Sequence, residues 1–496
     1  MNRIASREEI KAYEKHLMEA EHIPSLHLME RAAQSVASFI EEKGFSNILI
    51  WAGCGNNGAD GLAVARILNE VIEKVSVVIV GDRTKCTKEF LFQEELLTHT
   101  NVVVSGEEAK NHQYDLIVDA ILGIGQNRDI LGIIQETVNW INDYRQEHNT
   151  KVLAIDMPTG IHTDSGRILT CAVQADYTIT FSCKKSGQVL GPGSIVCGDV
   201  VIRRIAGAAS LSTLCSSITK EDLKNFPKRD VLGNKATFGK VLCITGNCNT
   251  PGACILNAKA VLKSGAGMVK VMTDPQNRDL LMTSLPEAMF QDRMSYDDEM
   301  LIKETRWSSA AVIGCGLGIH PDNEKLLEKT MKICEVPLII DADALTILGK
   351  HMEWLRKRSK SNQITILTPH PKEFTALFGG ECKDKMHANP GYVNQLAREY
   401  GCIIVAKDAK TMIADGCGVL INESGNDSLA KAGSGDILSG MIAALVCVCD
   451  SPAKACGYAV YLHGLAGEEA GSKIGRISTT ANDILETIPL VMKSIM

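Results

Sequence analysis

The chain has 496 residues, 45% of them hydrophobic and 22% charged, with a formal net charge of −7. This length exceeds what one hydrophobic core usually serves, so two or three domains are expected. The net negative charge gives no general electrostatic attraction for nucleic acid. No apolar run approaches the ~20 residues that a membrane span needs. We therefore expect a cytoplasmic protein whose partners include neither nucleic acid nor membrane.

The 17 cysteines are scattered singly, without a Cys-x-x-Cys pair. Their odd number argues against a disulfide framework, and the missing pairs argue against bound zinc. Reduced thiols are therefore expected. The opening stretch from Met1 to Ala20 is charged and periodic and has no apolar core, so we predict no signal peptide there.

In the first half, an opening helical stretch is followed by short apolar runs that alternate with helical stretches. Continuous apolar strands separated by helices are typical of a parallel sheet covered on both faces. The predicted strands cover residues 47–51, 75–80, 102–104, 116–118, 152–155, 177–181 and 200–205, and the predicted helices cover 62–72, 90–97 and 133–144.

A small, polar and then charged segment, residues 207–230, marks the predicted boundary, and a second α/β series follows it. We predict two doubly wound α/β domains, whose ligands gather at the carboxyl ends of the strands. The predicted strands of the second half cover residues 240–245, 268–272, 311–314, 338–341, 364–367 and 403–407, and two late helices cover 436–449 and 453–471.

The run Gly53-Cys54-Gly55-Asn56-Asn57-Gly58 follows a predicted strand and matches the G-x-G-x-x-G pattern of dinucleotide-binding loops. Asp82 ends the next strand at a distance that suits a ribose contact. The pattern alone predicts a nicotinamide dehydrogenase, and its structural alternative is a tight turn that binds nothing. The polar residues around it favour a different chemistry.

Acidic and amide side chains follow several predicted strands of this half. Asn56-Asn57-Gly58-Ala59-Asp60 follows the first, Asp119 ends another ahead of the loop Gly123–Asp129, and Asp156 ends a third. Each aspartate alone could be a helix cap or a turn residue. Together at one rim of a parallel sheet, their oxygens would suit a hard cation, and Asp156 could move protons.

In the second half, Gly433-Ser434-Gly435-Asp436 precedes an apolar segment from Ile437 to Val446. This order predicts a glycine turn that opens onto a helix N-terminus, where backbone N–H groups and the helix dipole attract phosphate oxygens. A carboxylate there would repel a bound phosphate, so its presence indicates a catalytic role. The obvious role is to take a proton from a hydroxyl that attacks the phosphate. The second half is therefore predicted to hold a phosphoryl-transfer site.

These motifs resemble those of the bifunctional NAD(P)H-hydrate repair enzymes, in which an epimerase domain is fused to an ADP- or ATP-dependent dehydratase domain. The resemblance implies a Rossmann-like epimerase domain over residues 1–215 and a ribokinase-like dehydratase domain over residues 225–496. The matching segments are residues 55–58, 118–120, 123–125, 156–160, 180–181 and 185–193, then 245–247, 251–253, 263–267, 314–318, 341–345, 368–373, 407–411, 425–426 and 431–438.

In the first half, the resemblance implies that Asp156 is the acid/base that lets a bond at the hydroxyl-bearing ring carbon, C6, break and reform. It also implies a potassium site formed by Asn57, Asp119 and Thr159. The residues implied to cradle the hydrated dinucleotides, NADHX and NADPHX, are Asn56, Asn57, Gly58, Ala59, Asp60, Gly123, Ile124, Gly125, Gln126, Asn127, Arg128, Asp129 and Asp156.

In the second half, the resemblance implies that Asp436 deprotonates the C6 hydroxyl for attack on ADP or ATP, and that loss of phosphate then restores NAD(P)H. Magnesium would neutralise oxygen charge, ADP is the usual nucleotide of bacterial relatives, and a homo-oligomer is expected. Substrate contacts are implied for Ala253, Gly316, His370 and Asp436, and nucleotide contacts for Lys407, Asp408, Ala409, Lys410, Thr411, Gly433 and Gly435. Relatives usually carry small residues in place of Asp408 and Lys410, which leaves ADP versus ATP open.

Other classes of function stay open at this point. A vitamin-precursor or sugar kinase would share the Gly433–Asp436 turn, with the first half as an accessory dinucleotide-binding module, but it would not need Asn56, Asn57 or Asp156. A non-enzymatic dinucleotide sensor would bind the hydrate without turnover. A dehydrogenase is disfavoured, because no hydride-transfer constellation accompanies the glycine loop.

Overall fold

Two compact units make up the chain. The N-terminal unit comprises residues 3–213, and the C-terminal unit comprises residues 214–496 together with residues 1–2. Of the predicted boundary segment, residues 207–210 lie outside the described residues. This computed structural model describes residues 1–104, 106–206, 211–380 and 383–495.

The N-terminal unit is built on a 7-stranded parallel sheet of order β4-β3-β2-β5-β6-β7-β9. Each strand predicted for this half is present, with small differences at its ends. The strands are β1 (Asn2–Ala5), β2 (Asn47–Gly53), β3 (Lys74–Val80), β4 (Val103–Val104), β5 (Leu116–Ala120), β6 (Lys151–Ile155), β7 (Tyr177–Phe181), β8 (Lys184–Lys185) and β9 (Asp199–Arg203).

Helices flank this sheet because its strands carry apolar side chains that must be covered on both faces. Two separate apolar clusters of the unit contain alternate residues of the same strands, for example Ile50 in one and Leu49 and Trp51 in the other. The helices are α1 (Arg7–Glu19), α2 (Ser25–Lys43), α3 (Asn56–Leu68), α4 (Lys88–Leu97), α5 (Ile133–His148), α6 (Ser186–Val189) and α7 (Gly193–Val196).

The start of α3 corrects one prediction. The helix begins at Asn56, six residues before the predicted Leu62, so the polar residues of the glycine loop lie in its first turns. Glycine inside a helix weakens the local signal, but here it allows close packing on the sheet. A Cβ on Gly58 would lie 1.6 Å from the carbonyl oxygen of Gly53, and one on Gly61 would lie 2.5 Å from the Cβ of Ala120.

The strand order of this sheet reverses between β2 and β5, because β2 leads to β3 on one side while β5 leads to β6 on the other. Ligands of open α/β sheets bind outside the carboxyl ends of the strands at such a reversal. The register pairs Asp119 with Trp51 of β2 and with Ala154 of β6. The polar ends of these strands therefore lie side by side, as predicted.

In the C-terminal unit, the strands follow the order β13-β12-β11-β14-β15-β16-β17-β18-β19-β10. They are parallel up to β17, after which β18 and β19 run antiparallel. The strands are β10 (Cys215–Ser217), β11 (Lys240–Ile244), β12 (Met268–Thr273), β13 (Met289–Asp292), β14 (Ala310–Ile313), β15 (Leu338–Ile340), β16 (Thr365–Leu367), β17 (Ile403–Ala406), β18 (Met412–Ala414) and β19 (Val419–Ile421).

The six strands predicted for this half are present, whereas β10, β13, β18 and β19 were not predicted, since runs of three or four residues are too short to show a period. The helices are α8 (Pro251–Lys263), α9 (Arg278–Ser284), α10 (Asp298–Trp307), α11 (Pro321–Ile333), α12 (Asp343–Leu348), α13 (Met352–Lys360), α14 (Pro371–Phe378), α15 (Lys383–Ala388), α16 (Pro390–Tyr400), α17 (Ser434–Val446), α18 (Pro452–Ile474) and α19 (Ala481–Lys493).

Helix α17 is buried throughout Ile437–Val446, which its unbroken apolar sequence predicts. Each buried Leu, Ile or Met side chain contributes about 1.5–3 kcal/mol to folding, so the core fixes this helix firmly. α8 packs closely on it, since a Cβ on Gly440 would lie 2.5 Å from the carbonyl oxygen of Asn257. The strand order reverses between β11 and β14, which places the second predicted ligand site at that edge.

Every cysteine in the described part of the chain is a free thiol. No helix there is long and apolar enough to cross a lipid bilayer.

Candidate active sites

A cavity of about 530 Å³ opens at the strand reversal of the N-terminal unit. It is lined by Lys11, Glu14, Met18, Ser25, Leu28, Met29, Ala32, Gly55, Asn56, Asn57, Asp60, Glu89, Ile121, Leu122, Gly123, Ile124, Gly125, Asp156, Phe181 and Ile205. Most of the residues predicted to hold the dinucleotide are therefore gathered at one place. We call this space the N-terminal cavity.

Asp156 follows β6 with a φ of 64°, in the left-handed region that non-glycine residues rarely adopt. Such backbone conformations cluster at functional sites. Its carboxylate accepts hydrogen bonds from Lys185 Nζ at 2.5 Å and from Thr180 Oγ1 at 3.1 Å. Gln188 Nε2 donates to its backbone oxygen at 2.6 Å. Asp156 is therefore held in one orientation at the wall of the N-terminal cavity.

Lys185 is the main residue of this site that the sequence left without a role. Its side chain is 1% exposed, and its ammonium group donates to Asp156, to Thr180 Oγ1 at 2.8 Å and to the Phe181 oxygen at 3.1 Å. A buried lysine is rare unless it is paired. The sequence shows only that Lys185 follows shortly after an apolar strand. Its pairing with Asp156 could not be predicted, because the two residues are 29 positions apart.

Of the three residues predicted to bind potassium, Asp119 and Thr159 are hydrogen-bonded to each other, and Asn57 lies beside Gly123 of the loop that follows Asp119. Asp119 is fully buried and accepts bonds from Thr159 N and Oγ1, both at 2.7 Å, and from Ile121 N at 3.2 Å. Burial raises the pKa of Asp119 to about 6, against these hydrogen bonds. Leu122 N donates to Thr159 Oγ1, and the Asn57 side chain lies 3.3 Å or less from the Cβ position of Gly123.

The loop Gly123–Asp129 lies beside a second cavity of about 470 Å³. Gly125, Asn127, Arg128 and Asp129 are exposed there. Gln126 differs, because its side chain is buried and bonds to the backbone of Leu122, Pro158 and Gly160. Gln126 therefore fixes the loop to the segment that follows Asp156.

The early α3 residues point in different directions. Asn56, Asn57 and Asp60 line the N-terminal cavity, whereas the Ala59 side chain is fully buried and Gly58 packs on Gly53. Burial raises the pKa of Asp60 well above its ordinary value, and the nearby carboxylates Asp156 and Glu14 add to the effect.

In the C-terminal unit, Asp436 is the third residue of α17. Gly433 caps the helix with a φ of 89°, as the glycine turn requires. The N–H groups of Gly435 and Asp436 belong to the first helical turn and have no intrahelical acceptor. Burial, and then the charge of Asp341, raise the pKa of Asp436 to about 7, while a bond from the Cys315 thiol and the charge of Lys407 act the other way.

Lys407 extends from the end of β17 to the start of α17. Its Nζ donates to Asp341 Oδ1 at 2.7 Å and lies 3.3 Å from the Cβ position of Gly435. Burial alone would lower the pKa of Lys407, but Asp341 and Glu373 raise it overall, so the side chain stays protonated. The structure thus places an ammonium group beside the helix N-terminus that was predicted to hold phosphate.

Ala253 and Gly316 form a close contact near this turn. A Cβ on Gly316, whose φ is 58°, would lie 2.7 Å from the Cβ of Ala253 and 2.8 Å from Thr250 Oγ1. Thr250 and Asn247 both donate to the Gly316 oxygen, at 2.8 and 2.9 Å. Asn257, which lies in α8 together with Ala253, donates to the backbone oxygen of Asp436 at 2.9 Å. Ala253 and Gly316 are therefore connected to Asp436 through α8.

His370 caps α14, with its Nδ1 accepting from the N–H groups of Lys372 and Glu373. Its Nε2 lies 3.2 Å from Glu373 Oε1, and the side chain is 46% exposed. Burial and then the Lys407 charge lower the pKa of His370. The imidazole is therefore neutral and fixed, with an open face.

In the loop Lys407–Thr411, only the side chain of Lys407 reaches the glycine turn at the start of α17. Asp408 pairs with His387, and Lys410 Nζ donates to the Glu423 oxygen at 3.2 Å. Ala409 is exposed, and Thr411 is buried with its hydroxyl bonded to the Asp408 oxygen. Asp408 and Lys410, which depart from the usual small residues, thus have structural partners of their own.

His463 of α18 was not predicted from sequence. It is 6% exposed, and its Nε2 lies 3.2 Å from Ser434 Oγ. Burial and the Lys407 charge lower the pKa of His463 to about 4. A neutral imidazole therefore holds the first residue of α17 in place.

The chain matches two family models. One, described as NAD(P)H-hydrate dehydratase, matches residues 241–490. The other, described as YjeF-related protein N-terminus, matches residues 25–187.

Similar proteins cover nearly the whole chain. A bifunctional NAD(P)H-hydrate repair enzyme of Moorella thermoacetica is 31% identical, over 95% of this chain and 93% of the relative. One of Escherichia coli is 29% identical, over 90% of this chain and 84% of the relative. The ADP/ATP-dependent NAD(P)H-hydrate dehydratase from Bacillus subtilis, co-crystallised with ATP and magnesium, is 29% identical with a TM-score of 0.50, over 56% of this chain and 98% of that one.

Proposed function

Because this chain belongs to the family of bifunctional NAD(P)H-hydrate repair enzymes, we propose that it interconverts the R and S epimers of hydrated NAD(P)H and dehydrates the S epimer at the expense of ADP or ATP. The observation that carries this proposal is the pair of aspartates: Asp156 lines the N-terminal cavity, and Asp436 lies in the first turn of α17. A plain kinase would need only the second.

We assign dehydration to Asp436. Its carboxylate takes the proton of the C6 hydroxyl, and the freed oxygen attacks the terminal phosphoryl group of the nucleotide. Phosphate is a far better leaving group than hydroxide. The C6–O bond then breaks, a proton leaves the neighbouring carbon, and NAD(P)H results. Neutral His370 and the Ala253–Gly316 contact would border the nicotinamide ring.

Lys407 supports this assignment, because phosphoryl transfer depends on positive charge near the transferring oxygens. Its Nζ lies 3.3 Å from the Cβ position of Gly435, beside the N–H groups of the helix N-terminus. Asp341 Oδ1 accepts a hydrogen bond from the ammonium group at 2.7 Å and so fixes its position. We propose that Gly433, Gly435 and Lys407 hold the transferring phosphate and that residues 408–411 form the outer part of the nucleotide loop.

Magnesium, when bound together with the nucleotide beside Lys407 and the start of α17, would neutralise phosphate charge. Among the described residues, no group of three or more His, Cys, Asp or Glu side chains could hold a metal ion. This arrangement fits an ion that arrives on the nucleotide and keeps much of its water. The roles of Asp436 and Lys407 follow from their own geometry.

Dehydration is expected to accelerate as the pH rises through about 7. Asp436 must be ionised to act as a base, and its pKa is raised to about 7. The ionised fraction, and with it the rate at saturating substrates, should rise roughly tenfold from about pH 6 to about pH 8. Initial rates of NADH formation from the S epimer measure this, and a profile that falls over this range would contradict the assignment.

We assign epimerisation to the N-terminal cavity, with Asp156 as an acid/base next to the C6 hydroxyl. Asn56, Asn57, Asp60 and the loop Gly123–Asp129 would border the dinucleotide. The buried Lys185 keeps the Asp156 carboxylate oriented, since its ammonium group donates to one carboxylate oxygen. The second carboxylate oxygen makes no hydrogen bond to a described residue.

We propose a potassium site at Asn57, Asp119 and Thr159. Their amide, carboxylate and hydroxyl oxygens are the donor types that hard cations take. The Asn57 amide nitrogen is buried without a hydrogen-bond partner among the described residues, which suits an amide whose oxygen faces an ion. When bound, potassium would add positive charge near the phosphates or the ring hydroxyl of the substrate.

Thr159→Val is expected to remove the potassium dependence of epimerisation. The change keeps the side-chain shape, removes one oxygen ligand and leaves Asp119 with one bond fewer, at a cost of about 1–3 kcal/mol. Epimerisation rates in potassium and sodium chloride at equal ionic strength provide the measurement. Thr150→Val, which removes another buried threonine hydroxyl away from the cavity, should keep the wild-type potassium response, and a similar loss in both variants would refute the site.

We also propose that residues 1–215 form the epimerase domain and residues 225–496 the dehydratase domain, in the cytoplasm, where free thiols persist. The homo-oligomer stays a prediction. The function itself is tested by incubating purified protein with S-NADHX and either nucleotide. We expect one NADH and one phosphate for each nucleotide consumed. Accumulation of a stable phosphorylated product would favour a kinase instead.

A further inference from the structure

Helix α1 is fixed against the segment that holds Asp156. β1 pairs with β8, which places Ala5 beside Lys185. Arg7 N donates to Asp164 Oδ1 at 2.6 Å, and Ser6 and Glu9 form a capping box at the start of the helix. The start of α1 is therefore held close to Lys185, the residue that pairs with Asp156.

Glu14 projects from α1 into the N-terminal cavity, which Asp60 and Asp156 also line. Within the described residues, neither the Glu14 nor the Asp60 carboxyl group has a hydrogen bond or an ion pair, so both are available to a ligand. The charged groups that face Glu14 are Lys11 of the same helix, Asp60 of α3, Glu89 of α4, Asp156 and Lys185. Glu14 lies outside the region matched by the N-terminal family model.

The surroundings of Glu14 favour its protonated form. Burial, followed by the charge of Asp156, raises the pKa of Glu14 to about 6, and Lys185 and Lys11 oppose the rise. Asp156, in contrast, pairs directly with the buried Lys185. Glu14 lacks such an ion pair in the described part of the chain, and two carboxyl groups in different surroundings commonly divide the roles of acid and base.

We propose that Glu14 is a second catalytic acid/base of the epimerase, working with Asp156 at the C6 hydroxyl. This inference rests on the proposed function. In one direction, Glu14 gives its proton to the hydroxyl, the C6–O bond breaks, and the lone pair of the ring nitrogen forms a C=N bond as water leaves. Water then adds to the other face of C6, Asp156 takes its proton, and the electron pair returns to nitrogen. The reverse direction exchanges the two roles.

Glu14→Gln tests the proposal with the full chain. We expect R-to-S interconversion without nucleotide, corrected for the spontaneous reaction and followed by chromatography of the epimers, to fall by about a hundredfold or more. Glu14→Asp should retain a larger share of the rate, because it keeps a carboxyl group. Glu19→Gln is the matched control, since Glu19 ends the same helix with its side chain 68% exposed, and it should match the wild type.

The pH profile distinguishes a chemical role from a structural one. Wild-type epimerisation should decline as the pH rises through about 6, where Glu14 loses its proton, and the residual rate of Glu14→Gln should lack that decline. Dehydration of the S epimer belongs to the other compact unit and should be unchanged, while an unchanged melting temperature shows that the N-terminal unit is folded. If the wild type epimerises the hydrate and Glu14→Gln does so at the same rate, only the role of Glu14 is overturned. A wild type that cannot epimerise overturns the proposed function as well.

Discussion

Replacing Asp436 by asparagine is expected to lower dehydration of S-NADHX by about 10²–10⁴-fold, the usual contribution of a general base. The amide keeps the shape of the side chain but cannot take the hydroxyl proton. Epimerisation should continue at the wild-type rate, because Asp156 lies in the other compact unit. NADH absorbance follows the first reaction, and chromatography of the two epimers follows the second.

The same variant is expected to melt at a temperature equal to or above that of the wild type. Burial next to Asp341 disfavours the ionised form of Asp436, as its raised pKa shows, so a neutral amide removes an unfavourable charge at neutral pH. Asp427→Asn is the control, because Asp427 lies in the preceding loop, exposed and paired with Arg476. Equal loss of dehydration in both variants would argue against a special role for Asp436.

Replacing Asp156 by asparagine is expected to reduce epimerisation by a similar factor and to leave dehydration of the S epimer intact. With a mixture of epimers and an excess of nucleotide, this variant should convert the S share at once and the R share only at the slow spontaneous rate. The time course of NADH absorbance therefore separates into two phases. A single fast phase in this variant would show that Asp156 is dispensable.

Loss of stability must be separated from loss of chemistry, because Asp156→Asn leaves the Lys185 charge buried without its partner. Breaking a buried ion pair in this way costs about 3–5 kcal/mol. The double variant Asp156→Asn/Lys185→Met removes both charges and is expected to recover much of the stability, yet not the epimerisation. Thermal melting together with the epimerisation rate distinguishes these outcomes. Recovery of activity in the double variant would contradict an acid/base role for Asp156.

Much of both sites could be predicted from local sequence, because parallel strands bring their carboxyl ends to one edge. Asp119 and Asp156 lie at the carboxyl ends of the neighbouring apolar strands β5 and β6, and the Gly433–Asp436 turn precedes the buried apolar run of α17. The early start of α3 was missed, since glycines 58 and 61 suggest a loop. Only contact with the sheet shows why they lie in a helix.

The partners of these residues could not be predicted, because they come from distant segments. Lys407 and Asp341 are 66 positions apart, and Lys185 and Asp156 are 29 apart. A lone charged residue gives no sign of such a pairing. The position of Gln126 was also hidden, because a polar loop residue is ordinarily exposed, yet its buried amide bonds to backbone groups of two segments.

The most direct measurement follows NADH absorbance while the full chain acts on a mixture of R- and S-NADHX with ADP, and separately with ATP. We expect complete recovery of NADH with at least one nucleotide, well beyond the share that was present as the S epimer. Recovery that stops at the S share would show that the first site does not epimerise the hydrate. No recovery with either nucleotide would contradict the whole account.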